Sequence, residues 1–279
     1  MMKELPKARF HIYKRVFMAV FLTGFLVACS DDKTEELEYV ERGVEEIYNA
    51  AYDSLEKNDF RRAAMEFDEV ERQHPYSVWA RRAMVMSAYS YYRQNKYSEA
   101  ILAARRFVAL HPGNEQTPYM YYLIAQCQYE QISDISRDQK NTELAREALI
   151  DLIRRYPNTD YARDARLKLD LTIDHLASKE MSIGRYYLRN NSHVAAINRF
   201  RNVVLEYQRT THIEEALHRL TESYLALGLE EEARASAAVL GYNYPNSEWY
   251  ADSYRMLVER DFSPGDKEAW YKRAWKQIF

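Results

Sequence analysis

The chain has 279 residues, of which 47% are hydrophobic and 29% charged, and its formal net charge at neutral pH is −3. An acidic chain lacks the excess of Lys and Arg that neutralises phosphates in sequence-independent nucleic-acid binding, so that class of function is excluded. Seven glycines and seven prolines are few for this length, a composition that favours long helices over loop-rich active sites.

The N-terminus has the organisation of a secretory signal. Residues 1–15 hold five basic side chains and one acidic one, and residues 16–27 are mostly apolar. This run is too short for a transmembrane helix, which needs about 20 apolar residues. It ends in Leu-Val-Ala-Cys, which resembles a bacterial lipobox, so we predict removal of residues 1–28 and lipidation of Cys29. An ordinary signal peptide with an incidental cysteine is the alternative.

Removal of the signal would make the chain more acidic. The signal contains five of the 39 Lys and Arg residues and one of the 42 Asp and Glu residues. Without it the formal net charge is −7. We therefore expect residues 29–42 to be a tether attached to the membrane by lipid alone. Ser30 after the cysteine resembles the sorting pattern for the outer membrane. Lipidation of Cys29 would leave Cys127 without a disulfide partner, and we expect a buried thiol there.

A repeat organises the rest of the sequence. In each of five copies an Ala lies twelve residues before a helix end, which is marked by Pro in four copies and by Gln208 in one. The helix ends are 37, 45, 51 and 37 residues apart. We predict that the extra residues form a polar loop at 131–141 in the third copy and a lengthened first helix after Pro157 in the fourth. The five alanines are Ala63, Ala100, Ala145, Ala196 and Ala233.

The repeat has the pattern of a tetratricopeptide (TPR) unit, whose motif W-x2-L-G-x2-Y, A-x3-F and P spans 34 residues. The fourth copy matches it best, through Gly184, Tyr187, Ala196 and Phe200. We therefore predict an all-α fold, a TPR superhelix of five helix-turn-helix repeats over residues 43–245. An extra C-terminal helix and an aromatic tail would occupy residues 246–279. An unrelated helical bundle is the alternative.

Tyrosines cluster at the ligand positions of the TPR frame. The concave wall of such a superhelix is lined by the first helix of each unit, and seven tyrosines take its ligand positions in the first three units and none in the last two. Tyrosine offers apolar area and a hydroxyl at low entropic cost, and neighbouring arginines suit a chain-end carboxylate. The alternative is that single tyrosines only pack between helices. The predicted peptide-binding groove comprises Tyr48, Tyr52, Arg82, Tyr89, Tyr92, Arg93, Tyr119, Tyr122 and Tyr129.

The C-terminal half is rich in arginine at the corresponding surfaces. Such a charged, aromatic-poor surface suits docking to another folded protein, and a solvated face is the alternative. The residues predicted for partner docking are Arg154, Arg155, Arg163, Arg166, Arg185, Arg199 and Arg201.

The tail carries apolar residues at helical spacing after a Ser-Pro-Gly break. They are Trp270, Tyr271, Ala274, Trp275, Ile278 and Phe279. Terminal repeats need a cap, so we expect the tail to fold back onto the last unit. A partner-binding helix is the alternative.

The sequence contains none of the common catalytic motifs. A glycine-rich phosphate loop, H-E-x-x-H, C-x-x-C and G-x-S-x-G are all absent. We predict a protein that is not an enzyme and uses no metal or cofactor.

The lipobox, the acidic tether and the TPR units, with Tyr-Pro-Asn-Ser/Thr junctions at residues 156–159 and 244–247, resemble the BamD family of outer-membrane lipoproteins. Asp59, Phe60 and Ala63 add to the resemblance, which covers the mature chain to about Arg260. It implies a lipid-anchored subunit of the β-barrel assembly (BAM) machinery, at the outer membrane of a Gram-negative bacterium and facing the periplasm.

The resemblance also implies partners. BamA would bind the C-terminal repeats, other BAM subunits would belong to the same complex, and the N-terminal repeats would take the aromatic C-terminal signals of unfolded outer-membrane β-barrel proteins. The alternative is another envelope TPR lipoprotein, such as a pilotin or a Tol/division scaffold.

Overall fold

The computed structural model describes residues 40–258, and all regular secondary structure in that range is helical. The predicted signal peptide, the lipidation site Cys29, nearly all of the tether and the aromatic tail lie outside the described residues. Within residues 40–258 no helix combines the length and apolar character needed to cross a membrane. The helices are α1 (Val44–Glu56), α2 (Phe60–Gln73), α3 (Val78–Arg93), α4 (Tyr97–Leu110), α5 (Thr117–Glu130), α6 (Lys140–Arg155), α7 (Asp160–Arg189), α8 (His193–Glu206), α9 (Ile213–Ala226), α10 (Glu230–Asn243) and α11 (Glu248–Val258).

The helices pack in the order in which they occur in the chain. Each helix contacts the next, and first helices of neighbouring units also touch, α1 with α3, α3 with α5, α5 with α7 and α9 with α11. This arrangement of helix pairs confirms the predicted all-α TPR fold with an extra C-terminal helix.

A single left-handed backbone residue makes the turn within four of the units. Asn58, Asn95 and Asn191 have φ angles of 60°, 59° and 56°, and Gly228 has φ of 74°. Asn and Gly are the residues that adopt this conformation at low cost. The third unit differs, because residues 131–139 form the loop between α5 and α6, close to the predicted position.

The repeat alanines lie in the interior of the helical array. All five are fully buried, as are Ala88, Ala125 and Thr221 at the crossing position of the first helices. Gly184 is the extreme case, because a Cβ built there would lie 2.5 Å from Cε1 of the buried Phe200 ring. The small side chains therefore set the distance between helices.

Helix α7 is 30 residues long, which corresponds to about 45 Å, and it confirms the predicted lengthening of the fourth unit. Its N-cap Thr159 accepts a hydrogen bond from the Ala162 N–H at 3.2 Å. Ala165 packs in a cluster with side chains of α5 and α6, whereas Met181 belongs to the core formed with α8 and α9. One helix thus joins two hydrophobic cores.

Gly184→Ala tests the close crossing of α7 and α8. The added methyl group would overpack Phe200 at a cost of about 1–3 kcal/mol, offset by about 0.5–1 kcal/mol because Ala favours helix over Gly. We expect a net loss of about 1–2 kcal/mol in the free energy of unfolding, measured by urea denaturation. Gly113→Ala is the control, since no atom lies within 4 Å of its added Cβ. Equal stability of the two variants would contradict the close crossing.

Candidate functional site

The structure places all nine predicted groove residues on the first helices of three consecutive units. Helices α1, α3 and α5 carry them, and none of the nine is fully buried. Tyr52 is the most open of the seven groove tyrosines, with 44% of its surface exposed. The repeat thus brings these side chains to successive neighbouring helices.

An aromatic cluster joins α1 to α3. The ring of Tyr48 lies edge-on to Phe67 at 5.5 Å between centroids and 4.8 Å from Trp79. The Arg82 guanidinium lies 5.6 Å from the Trp79 ring centroid, a cation–π contact. Burial raises the pKa of the Tyr48 hydroxyl, so this hydroxyl stays protonated at neutral pH and can donate a hydrogen bond.

Arg93 supplies a second guanidinium on α3. It lies 4.4 Å from the ring centroid of Phe60 and donates a hydrogen bond of 2.7 Å to the Tyr89 hydroxyl. Within the described part of the chain, neither Arg93 nor Arg82 has a carboxylate within ion-pair distance. Both cations therefore retain donors for an anionic group of a ligand.

The tyrosines of α5 meet the first turns of α7. The ring of Tyr161 lies 5.7 Å from that of Tyr119 and 5.2 Å from that of Tyr122. The Tyr122 hydroxyl donates to Asp164 Oδ2 at 2.9 Å and accepts from Lys168 Nζ at 3.1 Å. Burial is the main cause of the raised pKa of Tyr119. The aromatic surface is therefore bounded on this side by a polar network.

Five residues of this surface were not predicted from the sequence. They lie under or beside the predicted side chains and fix their positions, as the contacts above show. Tyr161, Asp164 and Lys168 lie in the extension of the fourth unit, which has no counterpart among the motif positions. The period of the repeat could not identify them. The full set is Phe60, Trp79, Tyr161, Asp164 and Lys168.

The arginines predicted for docking do not form one surface. Arg154 and Arg155 both pair with Asp151, with N–O distances of 2.5 and 2.8 Å. Arg163 pairs with Asp160 in the first turn of α7, with both side chains exposed. The others are Arg166, which donates to the Pro157 carbonyl at 2.7 Å, and Arg201, which is exposed on α8.

Two of these arginines bind acidic residues of neighbouring helices. Arg185 of α7 donates to both carboxylate oxygens of Glu215 of α9, at 2.9 and 2.6 Å. Arg199 of α8 lies 3.2 Å from Glu180 of α7. Burial acts to raise the pKa of Glu215, but Arg185 and Arg219 outweigh it and the pKa is lowered. The first pair joins the fourth unit to the fifth, and the second joins the two helices of the fourth unit.

An exposed apolar pair lies on α7. Leu167 and Leu171 are 66% and 61% exposed and are one helical turn apart. Arg163 lies one turn before Leu167 on the same face, Arg166 directly precedes Leu167 at about 100° around the helix axis, and Asp170 is exposed beside them. An apolar centre with a charged border is the arrangement found in many protein interfaces.

The described residues include one buried cysteine and no cluster of metal ligands. Cys127 is buried, and burial raises its thiol pKa to about 12, so it is not an activated nucleophile. Between residues 40 and 258, no group of three or more His, Cys, Asp or Glu side chains is placed to hold a metal ion.

Comparison with known proteins gave one family. The profile of YfiO, described as "Outer membrane lipoprotein", matches residues 41–240. "Outer membrane protein assembly factor BamD" of Caulobacter vibrioides is 49% identical over 88% of this chain and 81% of its own. The proteins of the same name from Rickettsia prowazekii and Neisseria meningitidis serogroup A are 42% and 29% identical, each over 87% of this chain and 96% of their own.

Solved structures give weaker similarity. The TPR domain of P58(IPK) aligns with a TM-score of 0.40 and 11% identity, covering 84% of this chain and 64% of its own.

Arg185→Gln tests whether Arg185 stabilises the fold. At pH 7 we expect a loss of about 1–2 kcal/mol, since hydrogen bonds to a half-buried carboxylate are removed. The pKa of Glu215 is lower in the folded state, so the pair stabilises the fold above the unfolded pKa of about 4.3. This contribution disappears as the pH falls through the folded-state pKa, and the two proteins should then unfold at the same urea concentration. Arg163→Gln is the matched control, because its ion pair is solvent-exposed, and it should not change stability. A loss of stability in Arg185→Gln that did not depend on pH would contradict the role of the Arg185–Glu215 pair.

Proposed function

The chain belongs to the BamD (YfiO) family of outer-membrane protein assembly factors, and we propose that it is a lipoprotein subunit of the β-barrel assembly machinery. In this proposal the surface of α1, α3 and α5 binds the C-terminal signals of unfolded outer-membrane β-barrel proteins, which end in an aromatic residue. The C-terminal repeats bind BamA. The protein acts by binding, and no chemical step is assigned to it.

The observation that carries the substrate proposal is the combination of tyrosines with two arginines that have no carboxylate partner among residues 40–258. An extended peptide that ends in Phe presents an aromatic ring and a terminal carboxylate a few ångströms apart. Partly exposed tyrosine rings on the first helices of three successive units offer contacts for the ring of the ligand. Arg82 and Arg93 offer donors for the carboxylate. A ligand without both features would leave part of the surface unused.

The docking proposal rests on the exposed face of α7. Leu167 and Leu171 form an apolar centre bordered by Arg163 and Arg166. Binding energy at interfaces comes mainly from such buried centres, and the charged border adds orientation and association rate. Because the other predicted arginines are scattered or paired across helices, we assign BamA docking to this face rather than to the whole set.

The membrane proposal rests on the predicted acylation of Cys29. The end of the tether is held in the structure, because the Arg42 N–H donates to Gln73 Oε1 at 3.1 Å and the Arg42 carbonyl oxygen lies 2.8 Å from His74 Nε2. The 14 residues from Cys29 to Arg42 span at most about 50 Å when extended. We propose that the first unit works within that distance of the outer membrane.

The substrate proposal is tested with a fluorescent peptide that ends in Phe, and with Arg82→Gln combined with Arg93→Gln. We expect the dissociation constant to rise about 10- to 100-fold, because charge-assisted hydrogen bonds are lost. Fluorescence anisotropy provides the measurement. Tyr52→Ala should weaken binding as well, whereas Tyr186→Ala, an exposed tyrosine of α7 outside the predicted groove, should not.

Two further peptides make the test specific. A peptide with an amidated C-terminus should bind the unmodified protein weakly and lose nothing further in the double-arginine variant. A peptide without the final Phe should be insensitive to Tyr52→Ala. Equal binding of all peptides to all variants would contradict the proposed site and favour another ligand, as a pilotin or a division scaffold would have.

The docking proposal is tested with Leu167→Asp combined with Leu171→Asp. Two charges at the centre of the interface should reduce the amount of BamA that copurifies with the protein by about tenfold or more. Leu102→Asp combined with Leu110→Asp is the matched control, since these leucines of α4 are 71% and 58% exposed. If both double variants retained BamA equally, α7 would not be the docking face. The peptide affinity of the α7 variant should stay unchanged, which separates the two proposals.

A further inference from the structure

The last described helix, α11, packs as the first helix of a sixth unit. It contacts both α9 and α10, as α3 contacts both α1 and α2. The Ser253 hydroxyl lies 2.9 Å from His218 Nδ1, and the Trp249 ring lies 5.1 Å from that of His218. A Cβ built on Gly241 would lie 2.3 Å from Cε2 of Tyr250, the same kind of close crossing as at Gly184.

The opposite face of α11 lacks a partner within the described residues. In each earlier unit, the first helix is also covered by its own second helix. On α11, Tyr254 and Val258 are each 46% exposed, and Ala251 is exposed one turn earlier. These three residues have the spacing of one helical face. An apolar face of this kind is normally covered in a repeat protein, because terminal units need a cap.

The segment that follows has the length to cover this face. Residues 267–279 carry paired apolar side chains at intervals of four, a pattern that predicts an amphipathic helix. A helix of this length is about 20 Å long, comparable to the 16 Å or so of α11. The intervening residues 259–266 include Ser-Pro-Gly and have the length of an ordinary connection between two packed helices.

Residues 267–279 and the first turn of α10 carry complementary charges. Residues 267–279 hold four basic side chains and one acidic one. The first turn of α10 presents three exposed acids, Glu230, Glu231 and Glu232. Leu257 near the C-terminal end of α11 packs in one cluster with Ala233 of α10, so the chain leaves α11 beside this acidic turn. Opposite charges at this position favour a return of the basic segment.

We propose that residues 267–279 dock as a second helix on the Ala251, Tyr254 and Val258 face of α11 and close a sixth repeat. The apolar side of the segment covers this face, and its basic side chains lie towards the first turn of α10. This contact makes the C-terminal end of the repeat array an internal surface of the chain rather than a site for another protein. The inference does not depend on the proposed substrate or on BamA.

Limited trypsin digestion of the full mature chain tests the docking, because the segment contains four trypsin sites. Mass spectrometry would follow cleavage within residues 267–279. We expect Tyr254→Asp combined with Val258→Asp to accelerate this cleavage at least about tenfold, since the apolar contact that holds the segment is lost. Leu102→Asp combined with Leu110→Asp introduces the same charges on another exposed face, on α4, and should leave the rate unchanged.

The tryptophans give an independent measurement. Two of the four, Trp270 and Trp275, lie in the segment, and their emission should shift to the red in the Tyr254→Asp, Val258→Asp variant. Rapid cleavage in the unmodified chain would overturn the proposal. It would also fall if cleavage were slow but unaffected by the α11 substitutions, or became slow only after BamA was added, which would make the segment a partner-binding helix.

Discussion

The superhelix depends on a steric constraint, which is that the two helices of each unit cross at a residue with almost no side chain. Ala63, Ala100 and Ala196 are fully buried, and at Gly184 only a hydrogen fits beside the ring of Phe200. Large side chains then fill the spaces between units. Interiors packed at this density tolerate little change of volume, so the crossing residues determine the geometry that every unit repeats.

This constraint is also what creates the tyrosine surface. Since the first helices of neighbouring units pack against each other, equivalent motif positions recur at neighbouring sites on α1, α3 and α5. Tyrosines at these positions come together without any sequence continuity between them. The contacts of Tyr48 with Trp79 and of Tyr122 with Tyr161 show that the rings are partly packing elements as well. Such packing fixes their orientation, so less conformational entropy is lost when a ligand binds.

The repeat period predicted the helices, the loop after α5 and the lengthening of α7, because small residues at fixed spacing mark the positions where helices pack together. It could not predict contacts that depend on the angle between particular helices. The Arg185–Glu215 pair joins residues 30 positions apart. The TPR motif positions alone placed Arg185 among the residues for partner docking. Tyr161 and Lys168 were missed for a related reason. They lie in an extension that has no motif position, so the face to which they point follows only from the packing of α7 on α5.

Helix α7 has a mechanical consequence. It runs for 30 residues without a proline, and bending it would break its internal hydrogen bonds. Tyr161, Asp164 and Lys168 meet the tyrosines of α5 from one side of its first turns, while Leu167 and Leu171 are open to solvent on another. Helix α7 is therefore a rigid element that the aromatic surface and the exposed leucine face share. A protein that displaced it by pressing on the leucines would move the wall of the aromatic surface by a similar distance, with no hinge between them to absorb the motion.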